Sequence, residues 1–260
     1  MITVIGATGH ETGGSTSLTV DRRGVQTVRS QIALMLIFAL IAGFLGVSCA
    51  APTNTEREAS TPTAPADTET DVLMLGRSVM QGWFDHWGRD GDSPVSRDGY
   101  TLRYGEIASP PDIARSAEDR IANTPDGTIV FFKLCFVDFE SYSSADTEAR
   151  LAEDLGYVSQ VVDAAHDRGC VLVLGTALPR VRAETNPDLT ELHERYNAEL
   201  EAIAADRPDV RVFDLYGTLA APDGSLDADF AASPEDSHLN DRAYDALDAE
   251  FFALLDGIGG

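Results

Sequence analysis

A doubly wound parallel α/β sheet is the fold class the sequence predicts, on three observations. From residue 71 onward, short apolar runs of strand length alternate with longer amphipathic stretches. That region holds roughly 190 residues, enough for one well-buried core. Its first run, Val72 to Leu75, ends in the small-residue turn Gly76-Arg77-Ser78 and meets a helix start. In parallel α/β sheets, ligands sit outside the carboxyl ends of the strands, so Ser78 is predicted at the lip of the sheet.

The chain ahead of this region reads as targeting sequence. Residues 1–30 are expected to be a disordered leader: Gly6 and Gly9 follow a short apolar run, but no helix follows to cradle a dinucleotide phosphate. Residues 31–49 form an apolar segment behind Arg22, Arg23 and Arg29, closing on Cys49. Basic flank, apolar run and small residues before a cysteine are the layout of an export signal or membrane anchor. The pattern resembles a bacterial lipoprotein signal, in which Cys49 would be lipidated, although Gly46 stands where Leu is usual. Residues 50–70 are Thr/Ala/Pro/Glu-rich and read as a linker that cannot bury a core. The rest of the protein is thus expected outside the cytoplasm, tethered to a membrane or secreted.

Within residues 71–260 the predicted elements run in order. Val72 to Leu75 is the first strand and Ser78 to Trp87 the first helix. Gly88 to Gly99 is a loop, Tyr100 to Ile107 the second strand, and Ile113 to Ala122 a helix behind Pro110-Pro111-Asp112. Thr128 to Val137 is the third strand. Ala149 to Arg168 is a helix with Leu151, Leu155, Val158, Val161 and Val162 on one stripe. Cys170 to Leu174 is the fourth strand, Leu189 to Asp206 a helix, Val210 to Phe213 the fifth strand and Asp241 to Ile258 the closing helix.

Composition excludes several classes of partner. A net charge of −24 repels nucleic acid and anionic membrane surfaces. Lys133 is the only lysine, so the positive charge is almost all arginine. The three cysteines share no metal-ligand spacing, and no metal is expected. Cys135 near the end of one strand and Cys170 at the start of the next are offset by about five residues of ~3.3 Å, too far for a disulfide. Both are expected as buried thiols.

Chemistry is predicted where the first and last loops meet. Pro234-Glu235-Asp236-Ser237-His238-Leu239-Asn240 is a polar turn before the last helix, on the same sheet edge as Ser78. A serine hydroxyl attacks a carbonyl only when a neighbouring base takes its proton and a carboxylate holds that base in the right tautomer. Ser78, His238 and either Glu235 or Asp236 supply those three groups. His86, with Trp83 and Trp87, is expected to cover the core or line the cleft, while His166 and His193 are expected in solvent. Arg180 and Arg182 are weaker candidates for meeting an acidic substrate group.

From Asp71 to Gly260 the chain resembles the SGNH/GDSL-type hydrolases. Gly76, Ser78 and Gly82 match the family's Gly-Asp-Ser turn and the glycine four residues beyond the serine; His238-Leu239-Asn240 match its last block. Arg195-Tyr196-Asn197 and Val212-Phe213-Asp214-Leu215 are also similar to stretches common there. Lys133-Leu134-Cys135-Phe136-Val137-Asp138 is similar to a Lys-Phe-Cys-Tyr-Val-Asp block in a subset of the family. The resemblance implies a three-layer α/β/α sandwich around a flavodoxin-like five-stranded parallel sheet, hydrolysis of a small-molecule or glycan ester, no cofactor, and a monomer.

The departures bear on the oxyanion hole. Arg77 stands where the family has Asp, and Glu235 rather than Asp236 sits three before His238. The family's donors are a glycine after the second strand, for which Gly105 or Ala108-Ser109 is a loose match, and an asparagine absent from 133–138. Asp138 in that block is expected to orient a neighbour, because an ionised carboxylate would repel an oxyanion. The expectation is an exported serine esterase acting on carboxylic or carbohydrate O-acetyl esters. Its rivals are a weak or inactive SGNH-like module that binds glycan or envelope material, and an O-acyltransferase using the same serine.

Overall fold

The computed structural model describes residues 69–259, so the predicted leader, the signal segment, Cys49 and nearly all of the linker lie outside the described residues. In chain order the elements are β1 (Thr70–Gly76), α1 (Ser78–His86), β2 (Val95–Arg97), β3 (Tyr100–Glu106), α2 (Ile113–Ala122), β4 (Ile129–Phe132), α3 (Ser144–Asp167), β5 (Val171–Gly175), α4 (Pro187–Asp206), β6 (Val210–Phe213), α5 (Leu215–Leu219), β7 (Ala231–Ser233), β8 (Asp236–Leu239) and α6 (Asp241–Gly259).

Six strands form one sheet in the order β2-β3-β1-β4-β5-β6, all parallel except the antiparallel edge strand β2. The chain steps from β1 to β3 on one side and then crosses to β4 on the other, which makes the carboxyl end of β1 the point where strand order reverses. Side chains alternate along the strands. Val72, Met74, Phe131 and Val173 join one buried cluster with residues of α1 and α6. Leu73, Leu75, Val130, Phe132, Leu172 and Leu174 join a second with residues of α2, α3 and α4. Both faces are therefore covered, giving three layers.

Tight packing seats the first helix between the end of β1 and α6. A Cβ at Gly76 would stand 2.8 Å from Met80 Cβ, and one at Gly82 would collide with the Tyr244 hydroxyl. Trp83 is the centre of the α1–α6 face, in aromatic contact with Phe131, Phe213, Tyr244 and Phe251. Its indole N–H donates to Asp248 Oδ1 at 2.6 Å, which satisfies the one polar atom of a buried ring.

Several elements differ from the sequence reading, the unpredicted short helix α5 among them. The Gly88–Gly99 loop contains β2, so the sheet has an antiparallel sixth strand beside the five parallel ones. The third strand stops at Phe132, because the chain beyond it turns into a 3-10 helix at Phe136–Asp138 whose Asp138 Oδ2 accepts the Cys135 N–H at 2.8 Å. α3 begins at Ser144, five residues before the predicted start, since Ser143 caps it by accepting the Asp146 N–H. The expected polar turn before α6 is a hairpin, β7 against β8, rather than a loop.

Cys135 and Cys170 are buried free thiols. His166 is largely exposed, beside Asp209. His193 corrects the sequence reading: it is fully buried, on the stripe Leu189, Leu192, His193, Tyr196, Leu200 of α4. Its ring meets Phe139 and Tyr216 edge-on, and both ring nitrogens are without partners. Burial pushes its pKa down to about 3, so it is neutral in the fold.

Asp154 on α3 is also fully buried with both carboxylate oxygens unpartnered, and desolvation raises its pKa to about 8. Between about pH 4 and about pH 8 the unfolded chain releases this proton while the folded chain keeps it, so stability from this group is whole below that window. It falls by up to about 1.4 kcal/mol per pH unit through the window. Asp154→Asn should remove this loss. Urea unfolding at about pH 5 and about pH 8 measures it, and a wild-type slope retained in the variant would contradict the assignment.

Candidate active site

Ser78 opens α1 at the carboxyl end of β1, where the first N–H groups of the helix have no intrahelical acceptor. Its hydroxyl is exposed and lies 2.9 Å from His238 Nε2. The other ring nitrogen, His238 Nδ1, is 2.6 Å from Asp236 Oδ1, which also accepts the His238 backbone N–H at 2.9 Å. That N–H, and then the ring, hold the Asp236 carboxyl below the usual carboxylate range. An ionised acceptor on Nδ1 fixes the proton there and leaves Nε2 as an acceptor facing the serine.

The hairpin decides which carboxylate reaches the ring. Asp236 and His238 are two apart on β8 and share a face, whereas Ser237 and Leu239 point inward and are buried. Glu235 lies in the turn and is near Ser233 instead. Ser237 ties β8 to the loop after β5: its hydroxyl accepts the Val181 N–H at 3.0 Å and donates to Glu184 at 3.1 Å. Asn240 fastens the other end, donating to the Asp229 and Ala231 carbonyls and accepting the Ala243 N–H at the start of α6. The imidazole is thus held from both flanks.

The loops after β3 and β4 meet the serine turn through Arg77. Gly105 is inside the packing, where a Cβ would stand 2.6 Å from Leu75 Cδ2, so it offers no surface to the cleft. Gly76 and Gly82 likewise serve close packing. The Ala108 N–H donates to Ser116 Oγ at 2.8 Å and the Cys135 N–H to Asp138, so these two backbone donors are already engaged. Arg77 reaches across both loops: one guanidinium nitrogen donates to Ser109 Oγ at 3.0 Å and another pairs with Asp138. Residue type hinted at this contact, since an arginine replaces the expected aspartate at 77 just as an aspartate, Asp138, closes the third block.

The remaining candidates are engaged elsewhere. His86 stands between Asp241 and Asp245 and stacks on Tyr244. Arg180 pairs with Glu184 and Arg182 with Asp223. Among the described residues, no three His, Cys, Asp or Glu side chains are arranged to hold a metal ion, and no helix is long and apolar enough to cross a membrane.

Comparison with known proteins finds no matching family model and no matching curated protein. Solved structures do match in fold. A GDSL-like lipase from Bacteroides thetaiotaomicron is similar at 14% identity and TM-score 0.54, covering 75% of this chain and 91% of its own. A candidate acylhydrolase from Bacteroides fragilis gives 16% and 0.55 over the same shares. An acetyl xylan esterase gives 15% and 0.50, covering 71% and 98%. The fold is therefore that of GDSL-like lipases and acylhydrolases: a mostly parallel α/β sandwich with Ser78 at its switch point.

Lys133 follows β4 with its ammonium fully buried and unpartnered. Burial lowers its pKa to about 8, and the nearby Cys135 and Asp138 side chains limit the fall. Arg77 and Lys133 together give the cluster two cations for the one carboxylate of Asp138. Lys133→Met removes the unmatched charge while keeping the chain length, and should raise stability by about 1–4 kcal/mol. The gain is full below about pH 8 and vanishes toward 10.5, where the unfolded lysine is neutral as well. Denaturant midpoints across that range check it, and a loss of stability at pH 7 would contradict it.

Proposed function

We propose that this protein is a serine ester hydrolase that cleaves carboxylic esters, including carbohydrate O-acetyl esters. The observation that carries this reading is the unbroken chain Ser78 Oγ–His238 Nε2 and His238 Nδ1–Asp236 Oδ1 at the carboxyl end of β1. The similarity in fold to a GDSL-like lipase and an acetyl xylan esterase supports it.

In this reading His238 takes the Ser78 proton as the hydroxyl attacks the ester carbonyl, and Asp236 stabilises the imidazolium that forms. The developing oxyanion meets the Ser78 N–H at the positive end of α1. His238 then gives its proton to the leaving alcohol. The acyl-enzyme is resolved by a water that the same imidazole deprotonates. No cofactor enters any step.

A fluorophosphonate probe should label Ser78, and Ser78→Ala should abolish both labelling and hydrolysis of short acyl esters. Asp236→Asn should lower kcat by on the order of 10³-fold or more, while Glu235→Gln stays within about twofold. Hydrolysis surviving in Ser78→Ala, or the two carboxylate variants exchanging effects, would overturn the assignment.

A glycan-binding module with little or no activity is the second reading, favoured by the prior engagement of the Ala108 and Cys135 N–H groups. Failure of the wild-type protein to react, together with glycan binding, would select it. The proposal also places the domain outside the cytoplasm, tethered through residues 31–49. If Cys49 carries the lipid, Cys49→Ala moves the protein from the membrane to the soluble fraction, and an unchanged distribution contradicts lipidation.

A further inference from the structure

Asp138 is 3% exposed, and its two oxygens take different partners. Oδ2 holds the Cys135 N–H, which bends the chain after β4 into the 3-10 turn, and Oδ1 pairs with Arg77, the residue directly before Ser78. The same turn carries Phe136, whose ring stands edge-on to the His238 imidazole at 5.2 Å between centroids and 87° between planes. A closed circuit results: Ser78 to His238 by hydrogen bond, His238 to Phe136 by ring contact, Phe136 to Asp138 along one turn, and Asp138 back to Arg77. Every link is short, and two of its side chains, Phe136 and Asp138, are buried. No other described contact joins the loop after β4 to the nucleophile turn through side-chain charge.

We propose that Arg77 and Asp138 are positioning residues which lock the loop after β4 to the serine turn and so hold Phe136 against His238, setting the imidazole for proton transfer. This rests on the hydrolase reading. Ring position matters because a displacement of about 1 Å at the reacting groups costs on the order of a hundredfold in rate. The buried carboxylate makes the clamp rigid: removing Asp138 leaves Arg77 and Lys133 as two cations without their counter-charge, whereas removing Arg77 leaves Asp138 with the Lys133 charge but no hydrogen-bonded partner. Lys133 faces the same carboxylate and adds a second cation to it without a hydrogen bond of its own.

The test compares Asp138→Asn, Arg77→Met, the double variant and Phe136→Leu in the full protein. The readouts are the fluorophosphonate labelling rate, kcat and KM for a short acyl ester, and the Nδ1 proton resonance of His238. Asp138→Asn and Phe136→Leu should each lower kcat and the labelling rate on the order of tenfold to a hundredfold. KM should stay within about threefold, as expected of groups that do not bind the ground state. The double variant should be no slower than the worse single one, because the two residues act as one unit. Phe136→Leu leaves the ion pair intact and serves if the charge variants fail to fold. It should still move the His238 resonance.

Retention of more than half the wild-type labelling rate in both Asp138→Asn and Phe136→Leu, with an unmoved resonance, would overturn the proposal. Losses that multiply in the double variant would overturn it too. A wild-type protein that the probe does not label defeats the hydrolase reading instead. The His238 resonance then still reports whether the clamp positions the ring.

Discussion

The contact between Ser78 and His238 joins residues 160 apart in sequence, and most of the architecture can be understood as what keeps it at 2.9 Å. The serine is delivered by β1, the strand with neighbours placed before and after the crossover, and it opens a helix packed tightly on the end of β1 at Gly76 and against α6 at Gly82. The histidine comes from a hairpin pinned by Ser237 on one side and Asn240 on the other. Burying Leu239 and Ser237 leaves Asp236 and His238 no face but the outer one. Sheet geometry, rather than a long-range attraction, brings acid and base together.

Charge placement follows a second logic. On a chain of net charge −24, most of the described arginines pair with surface carboxylates, where each pair contributes little. The buried ionisable groups are different: Lys133, Asp138, Asp154 and His193 are inaccessible, and all but Asp138 lack a hydrogen-bond partner. Phe139, one residue beyond the 3-10 turn, touches both His193 and Tyr196, and burial above all, with Asp154 and Asp138 nearby, raises the Tyr196 hydroxyl pKa. The loop after β4 therefore sits in a heavily desolvated polar region. Stability is given up there, because Lys133, Asp154 and His193 are buried without full pairing.

Much of this was legible in the sequence because it depends on local rules. Apolar runs located the five parallel strands, and Ile113–Ala122 has the bounds that its Pro-Pro-Asp start predicted. Ser78 and His238 were legible jointly, from the order of the strands and the ends at which both fall. The acid was not resolved, because the spacing of the resembled family pointed to Glu235. Alternation of outward Asp236 and His238 with inward Ser237 and Leu239 was the signal that this stretch is a strand. His193 was misplaced for a similar reason: its spacing from Leu189, Leu192 and Tyr196 is that of a buried helical stripe, but its polarity outweighed its position. The end of β4 depends on contacts between separate loops, which no local pattern encodes, and the Arg77–Asp138 pair was signalled only by the two residue types.

The central claim is that Ser78 is an activated nucleophile, and pre-steady-state hydrolysis of p-nitrophenyl acetate tests it most directly. The account predicts a burst of about one equivalent of p-nitrophenol per protein chain, with acetyl recovered on the peptide that carries Ser78 and no burst from the His238→Ala variant. A burst with acetyl on any other residue, or a wild-type protein that gives neither burst nor turnover, would contradict it.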